Sequence, residues 1–119
     1  MKLDLQNFAE DKGKLDWSII KRATGETRVE HVMKHGKNDL QKKEHGVFYG
    51  NPIDKVNDAY MNKGNIKPVS QGGIDKYTIP YPNAGYAGGY GGQGQNLNNI
   101  MIITRKGTNK IITGYPSAN

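Results

Sequence analysis

A chain of 119 residues with 34% apolar side chains and 16 glycines has room for one modest core and much loop. The absence of cysteine excludes a disulfide framework, a thiolate metal site and a thiol nucleophile. The longest apolar run, "IMIITR", is far short of the roughly 20 residues needed to cross a bilayer, and the formal charge of +6 points toward a polyanionic partner, nucleic acid before membrane.

Residues 1–26 mix charges with isolated apolar groups and show no sustained period. They read as an N-terminal extension or linker with one short docked element, Leu15 to Arg22, whose Trp17 rests on the core. They also lack the unbroken apolar stretch of a signal peptide, so an export signal, if any, lies elsewhere. The domain proper is expected over 27–119. "TRVE" has the form of a capping box, with Thr27 as N-cap and Glu30 reaching back. The helix it starts should run from Arg28 to His35 and end at Gly36 as a left-handed cap.

A lysine-rich loop and a short strand, Gly46 to Tyr49, come next. "NPIDKVNDAYMNKG" then gives the clearest helix, with Asn51 as N-cap, Pro52 in the first turn, Gly64 past the end and Ile53, Val56 and Tyr60 on the inward face. Strands follow: 74–81, where Pro80 argues for an edge; 97–104, whose apolar run suits a central position; and 110–116, reached through the hairpin "RKGTN". The segment "NAGYAGGYGGQGQN" reads as a loose surface excursion rather than a base-stacking loop for Tyr86 and Tyr90. Helices first and antiparallel strands afterwards make an α+β fold, with helices packed on one face of the sheet.

The chemistry concentrates in "VEHVMKHGKNDLQKKEHGVF", which holds all three histidines. His31 and His35 lie four apart on the helix and share a face, and His45 returns toward them after a ten-residue loop. Three readings compete. The histidines are ordinary surface groups; or they bind zinc through the H-x-x-x-H pair, although Val32 stands where a zinc protease has Glu and the surrounding lysines repel a cation; or they act as general base and acid on a phosphodiester. The last needs no metal or other cofactor, and the lysines that would spoil a zinc site would draw RNA in. Thr113 and Tyr115 share one face of the last strand and offer hydroxyl donors to a phosphate. Arg105, Lys106 and Lys110 at the hairpin, with Lys34 on the helix, are the candidate phosphate-binding cations. Residues 65–119 carry five bases against the single acid Asp75, which makes this the basic part of the chain.

The order of these motifs, from "EHVMKHG" through "HGVF" and a helix to strands ending "ITRKGTNKIITGYP", resembles the C-terminal toxin domains of bacterial contact-dependent inhibition and polymorphic toxin systems. More broadly, residues 27 to 116 are similar to the barnase, EndoU, colicin and RelE-like ribonucleases. The resemblance implies a monomeric, metal-independent endoribonuclease that cleaves RNA, tRNA among its targets, and leaves a 2′,3′-cyclic phosphate. It implies delivery into a target cell's cytoplasm and a cognate immunity protein as partner. By position it makes His31, His35 and His45 the catalytic histidines, and Thr113 and Tyr115 the donors of the last strand. The EndoU branch has a glycine-rich stretch just before its second histidine, which this chain lacks. The opening "MKLDLQNFA" is similar to the start of small phage proteins of Gram-positive bacteria, which keeps a second class in play: a non-catalytic, phage-associated module that grips nucleic acid.

Overall fold

The structure, a computed structural model, describes residues 14–21 and 24–118. The phage-like opening, with Leu3, Leu5 and Phe8, lies outside the described residues. In chain order the elements are β1 (Ile20–Lys21), β2 (Glu26–Thr27), α1 (Arg28–Met33) running into a 3-10 turn (Lys34–Gly36), β3 (His45–Phe48), α2 (Pro52–Met61), β4 (Val69–Gln71), β5 (Ile74–Gly88), β6 (Asn96–Arg105) and β7 (Ile111–Ser117). The fold is α+β, with β1 and β2 pairing by themselves and a five-stranded antiparallel sheet ordered β3-β5-β6-β7, β4 adding to β5. Among the described residues no helix is long and apolar enough to cross a membrane.

Both helices begin where their capping chemistry says. The Thr27 hydroxyl accepts from the Glu30 amide, and the Glu30 carboxylate accepts from the Thr27 amide in return. The Asn51 carboxamide oxygen accepts from the amides of Ile53 and Asp54, ahead of Pro52 in the first turn of α2. Gly36 is not the expected left-handed cap: it closes the 3-10 turn without a positive φ. Its small size matters instead, because a Cβ there would stand 3.0 Å from Pro52 Cγ.

Val56, Ala59 and Tyr60 of α2 are buried together with Val32 of α1, Ile100 and Ile102 of β6, and Ile111 of β7. Burying each such aliphatic group contributes about 1.5–3 kcal/mol. Gly114 leaves room for Val56, whose Cγ2 would lie 3.0 Å from a Cβ at that position. The expected docked N-terminal element is present in part: Leu15 is buried in this core, and the Trp17 indole N–H donates to Asn57 Oδ1 at 2.9 Å.

The sheet owes its shape to β5. Its first residues pair with β4 on one flank, its last four with β3 on that same flank, and the opposite flank follows β6 from Ile74 to Tyr86 with an irregularity between Pro80 and Gly85. Pro80 therefore sits in a strand that is central overall but carries no partner strand on one flank between Lys76 and Gly85. The irregularity brings the end of β5, and β3 with it, over toward β7. A Cβ on Gly46 would lie 2.4 Å from the Pro116 carbonyl, and one on Gly85 would lie 2.1 Å from that of Val47. Such approaches are open only to glycine.

The glycine-rich segment corrects the expectation of a loose excursion. Through Gly88 it is strand, and beyond that it is tied to the lysine loop: the amides of Gly89, Tyr90 and Gly91 donate to Asn38 Oδ1, the Lys42 carbonyl and the Lys43 carbonyl. Side chains here would collide with the loop, since a Cβ on Gly89 would be 2.5 Å from the Lys42 oxygen. Glycine content read as disorder was in fact close packing of main chain on main chain.

Candidate functional site

Where β3, the end of β5 and β7 converge, a cavity of about 490 Å³ opens. His35, His45, Lys42, Glu44, Thr113 and Tyr115 line it, over an apolar floor of Leu97 and Pro116. The 3-10 turn after α1 supplies His35, the first residue of β3 supplies His45, and β7 supplies the two hydroxyls.

The imidazoles of His35 and His45 stack with centroids 5.0 Å apart and planes 26° from parallel. The Tyr115 ring lies 5.8 Å from His35. Each stacked imidazole is oriented by a main-chain oxygen. Because a carbonyl only accepts, His35 Nδ1–H donates to the Gly46 carbonyl at 3.0 Å, and His45 Nε2–H donates to that of Lys37 at 2.8 Å. A neutral His35 thus keeps its lone pair on Nε2, and His45 keeps Nδ1 for a proton or a lone pair.

Burial pushes the His35 imidazole down to about 4; the Gly46 carbonyl opposes this, and the charges of His45, Lys42 and His31 add to it. His35 is therefore neutral at pH 7, the state of a base. In the unfolded chain it titrates near 6.5, so between that value and about 4 the unfolded state binds more protons. This share of stability is complete above the upper value and is lost as pH falls toward the lower one. Urea midpoints at about pH 7 and about pH 4.5 should accordingly differ more in the parent than in a His35→Asn variant, and equal differences would remove His35 as the source.

His31 stands behind this pair. Its ring meets that of His35 edge-on at 6.5 Å, but it does not line the cavity. Its Nδ1 is 3.0 Å from Glu26 Oε1, and Lys34 pairs with the other oxygen of the same carboxylate. Lys34 and, after it, His31 hold the Glu26 carboxyl below its usual range. Lys34, expected among the substrate-binding cations, has its ion pair on that outer side.

Arg105, Lys106 and Lys110 are not brought to the histidines. Met101 pairs with Tyr115, so Arg105 lies four residues further along β6, about 13 Å away, and Lys110 is about 16 Å back along β7. Their surroundings are different. The Lys106 amide donates to the Gly73 carbonyl, and its charge acts on Asp75, while the main chain on either side of Lys110 pairs with that of Asp16. Asp75 is itself occupied, accepting from Ser70 Oγ and the Gly107 amide, Ser70 first among the causes that lower its carboxyl. Adjacency in sequence misled here, because an antiparallel strand carries Tyr115 away from the turn that precedes it. Lys42, one of the loop lysines, provides the cation at the cavity instead, with Glu44 and Gln95 also at its walls. Tyr86 packs its ring 5.6 Å from Tyr49, and Tyr90 is exposed.

Among the described residues no three His, Asp or Glu side chains come together in a metal-holding arrangement. No family model, curated protein or solved structure matches this chain.

Proposed function

We propose that the protein is an endoribonuclease that cleaves RNA through attack of a ribose 2′-oxygen on the adjacent phosphorus. His35 Nε2 takes the 2′-hydroxyl proton, the new O–P bond closes a 2′,3′-cyclic phosphate, and the bond to the 5′-oxygen breaks as His45 delivers a proton to it. Lys42, Thr113 and Tyr115 hold the charge that grows on the phosphate. The observation that carries this reading is the stacked His35–His45 pair, with the Tyr115 ring packed against His35, lining one cavity. The resemblance of residues 27–116 to barnase, EndoU, colicin and RelE-like ribonucleases, which rests on these same histidine and last-strand motifs, points the same way. A toxin acting in a target cell's cytoplasm, on tRNA among other RNAs, and held off by an immunity protein belongs to the same proposal.

One observation favours the competing reading of a nucleic-acid-binding module without chemistry: both stacked imidazoles are tied to main-chain carbonyls, as structural histidines are. Incubating the protein with total RNA in EDTA separates the two. Cleavage to cyclic-phosphate ends is expected without metal; intact RNA at every protein concentration would leave the binding module.

A further inference from the structure

A second cavity, about 640 Å³, lies beside the first and shares Lys42 with it. Lys34, Lys37, Asn38, Asp39 and Leu40 are among the residues that line it. Its shape is fixed by bonds to neighbouring elements. His45 donates to the Lys37 carbonyl, Gly89 to the Asn38 side chain, and the loop's own amides of Gln41 and Lys42 donate to Asp39. Asp39, the one acid lining the cavity, accepts from the Gln41 amide through one carboxylate oxygen and from the Lys42 amide through its main-chain carbonyl. Lys34 is likewise engaged, with Glu26. Among the described residues Lys37 and Lys42 have no acidic partner within ion-pair distance. Beside them Leu40 stands 67% exposed, an apolar side chain held in water next to two cations. Charge alone would suit any anion; charge with an apolar contact suits a ligand carrying a phosphate and a flat apolar body, which is a nucleotide.

We propose that this cavity is a subsite for the nucleotide flanking the scissile phosphodiester, with Lys37 and Lys42 taking its phosphate and Leu40 lying against its base. The proposal rests on the ribonuclease reading and deepens it: the substrate is single-stranded RNA that extends past the cleaved bond on the side of the lysine loop. Lys42, common to both cavities, makes the phosphate path continuous.

Anisotropy titrations with 2′-O-methyl oligonucleotides, which lack the attacking hydroxyl, test the subsite by itself. The parent should bind a hexanucleotide more tightly than a dinucleotide, and with a steeper salt dependence. Lys37→Ala should weaken the hexanucleotide several-fold and reduce its slope of log affinity against log salt by about 0.7, the value for one lost single-strand phosphate contact. Lys76→Ala, at the end of the sheet that carries Asp75, should do neither. An unchanged slope in Lys37→Ala, or an equal change in Lys76→Ala, overturns the subsite. Failure of the parent to cleave ribo-oligonucleotides overturns the ribonuclease reading instead, so the two failures are read in separate assays.

Discussion

Replacing His35 by asparagine should lower RNA cleavage by about a hundred- to ten-thousand-fold while leaving the fold in place. The asparagine amide takes over the donor role of Nδ1–H toward the Gly46 carbonyl, so no buried acceptor is orphaned. Nothing then remains at the position of Nε2 to receive the 2′-hydroxyl proton. His31→Ala should cost far less, because His31 lies outside the cavity lining and meets Glu26 rather than the open space. Initial rates on a ribo-oligonucleotide in EDTA, with far-ultraviolet dichroism as the check on folding, decide the matter. A folded His35→Asn protein that cleaves at the parent's rate would remove His35 from the chemistry, and with it the proposed mechanism.

Gly85→Ala is expected to be the most damaging single-methyl change in the sheet. The added carbon would lie 2.1 Å from the Val47 carbonyl oxygen, 2.8 Å from its carbon and 2.9 Å from Pro116 Cγ. The first two are main-chain atoms of a paired strand, and no rotamer change relieves them. Strand β3 must move off β5, or Pro116 off both, which loosens the cavity floor as well as the core. A loss of about 3 kcal/mol, at the upper end of the overpacking range, corresponds to a melting midpoint lower by about 10 °C or more. Calorimetry against the parent reads this directly; an unchanged midpoint would mean that the close approach of β3, β5 and β7 is not a constraint on the fold.

Much of the secondary structure was legible because its signals are local. Thr27 with Glu30, and Asn51 with Pro52, mark helix starts through atoms at most three residues apart, and the apolar run ending β6 announces a central strand. The histidine window was legible as chemistry for the same reason. What sequence could not supply was distance along antiparallel strands. Arg105, Lys106 and Lys110 precede Thr113 and Tyr115 closely in the chain, yet extended backbone carries them to the other end of the sheet. Lys42 was hidden among equivalent lysines; only the bonds tying its loop to Gly89, Tyr90 and Gly91 single it out. The short strand β4, the pairing of β1 with β2, and the continuation of β5 past Pro80 were also illegible, since each depends on a partner distant in sequence or on an irregularity with no residue signature.

The change of partners along β5 has a kinetic consequence. His45 and Tyr115 are about 70 positions apart in the chain, and they share a wall only after β3 and β7 have each settled against the same bent region. Loop-closure entropy has to be met before such distant pairings give anything back, which places folding of the whole unit on the slower, millisecond-to-second side of the range for small domains. Until the final strand docks, the cavity lacks the wall that Thr113, Tyr115 and Pro116 give it, so under the proposed mechanism a nascent or transiently unravelled copy of this chain would leave RNA intact.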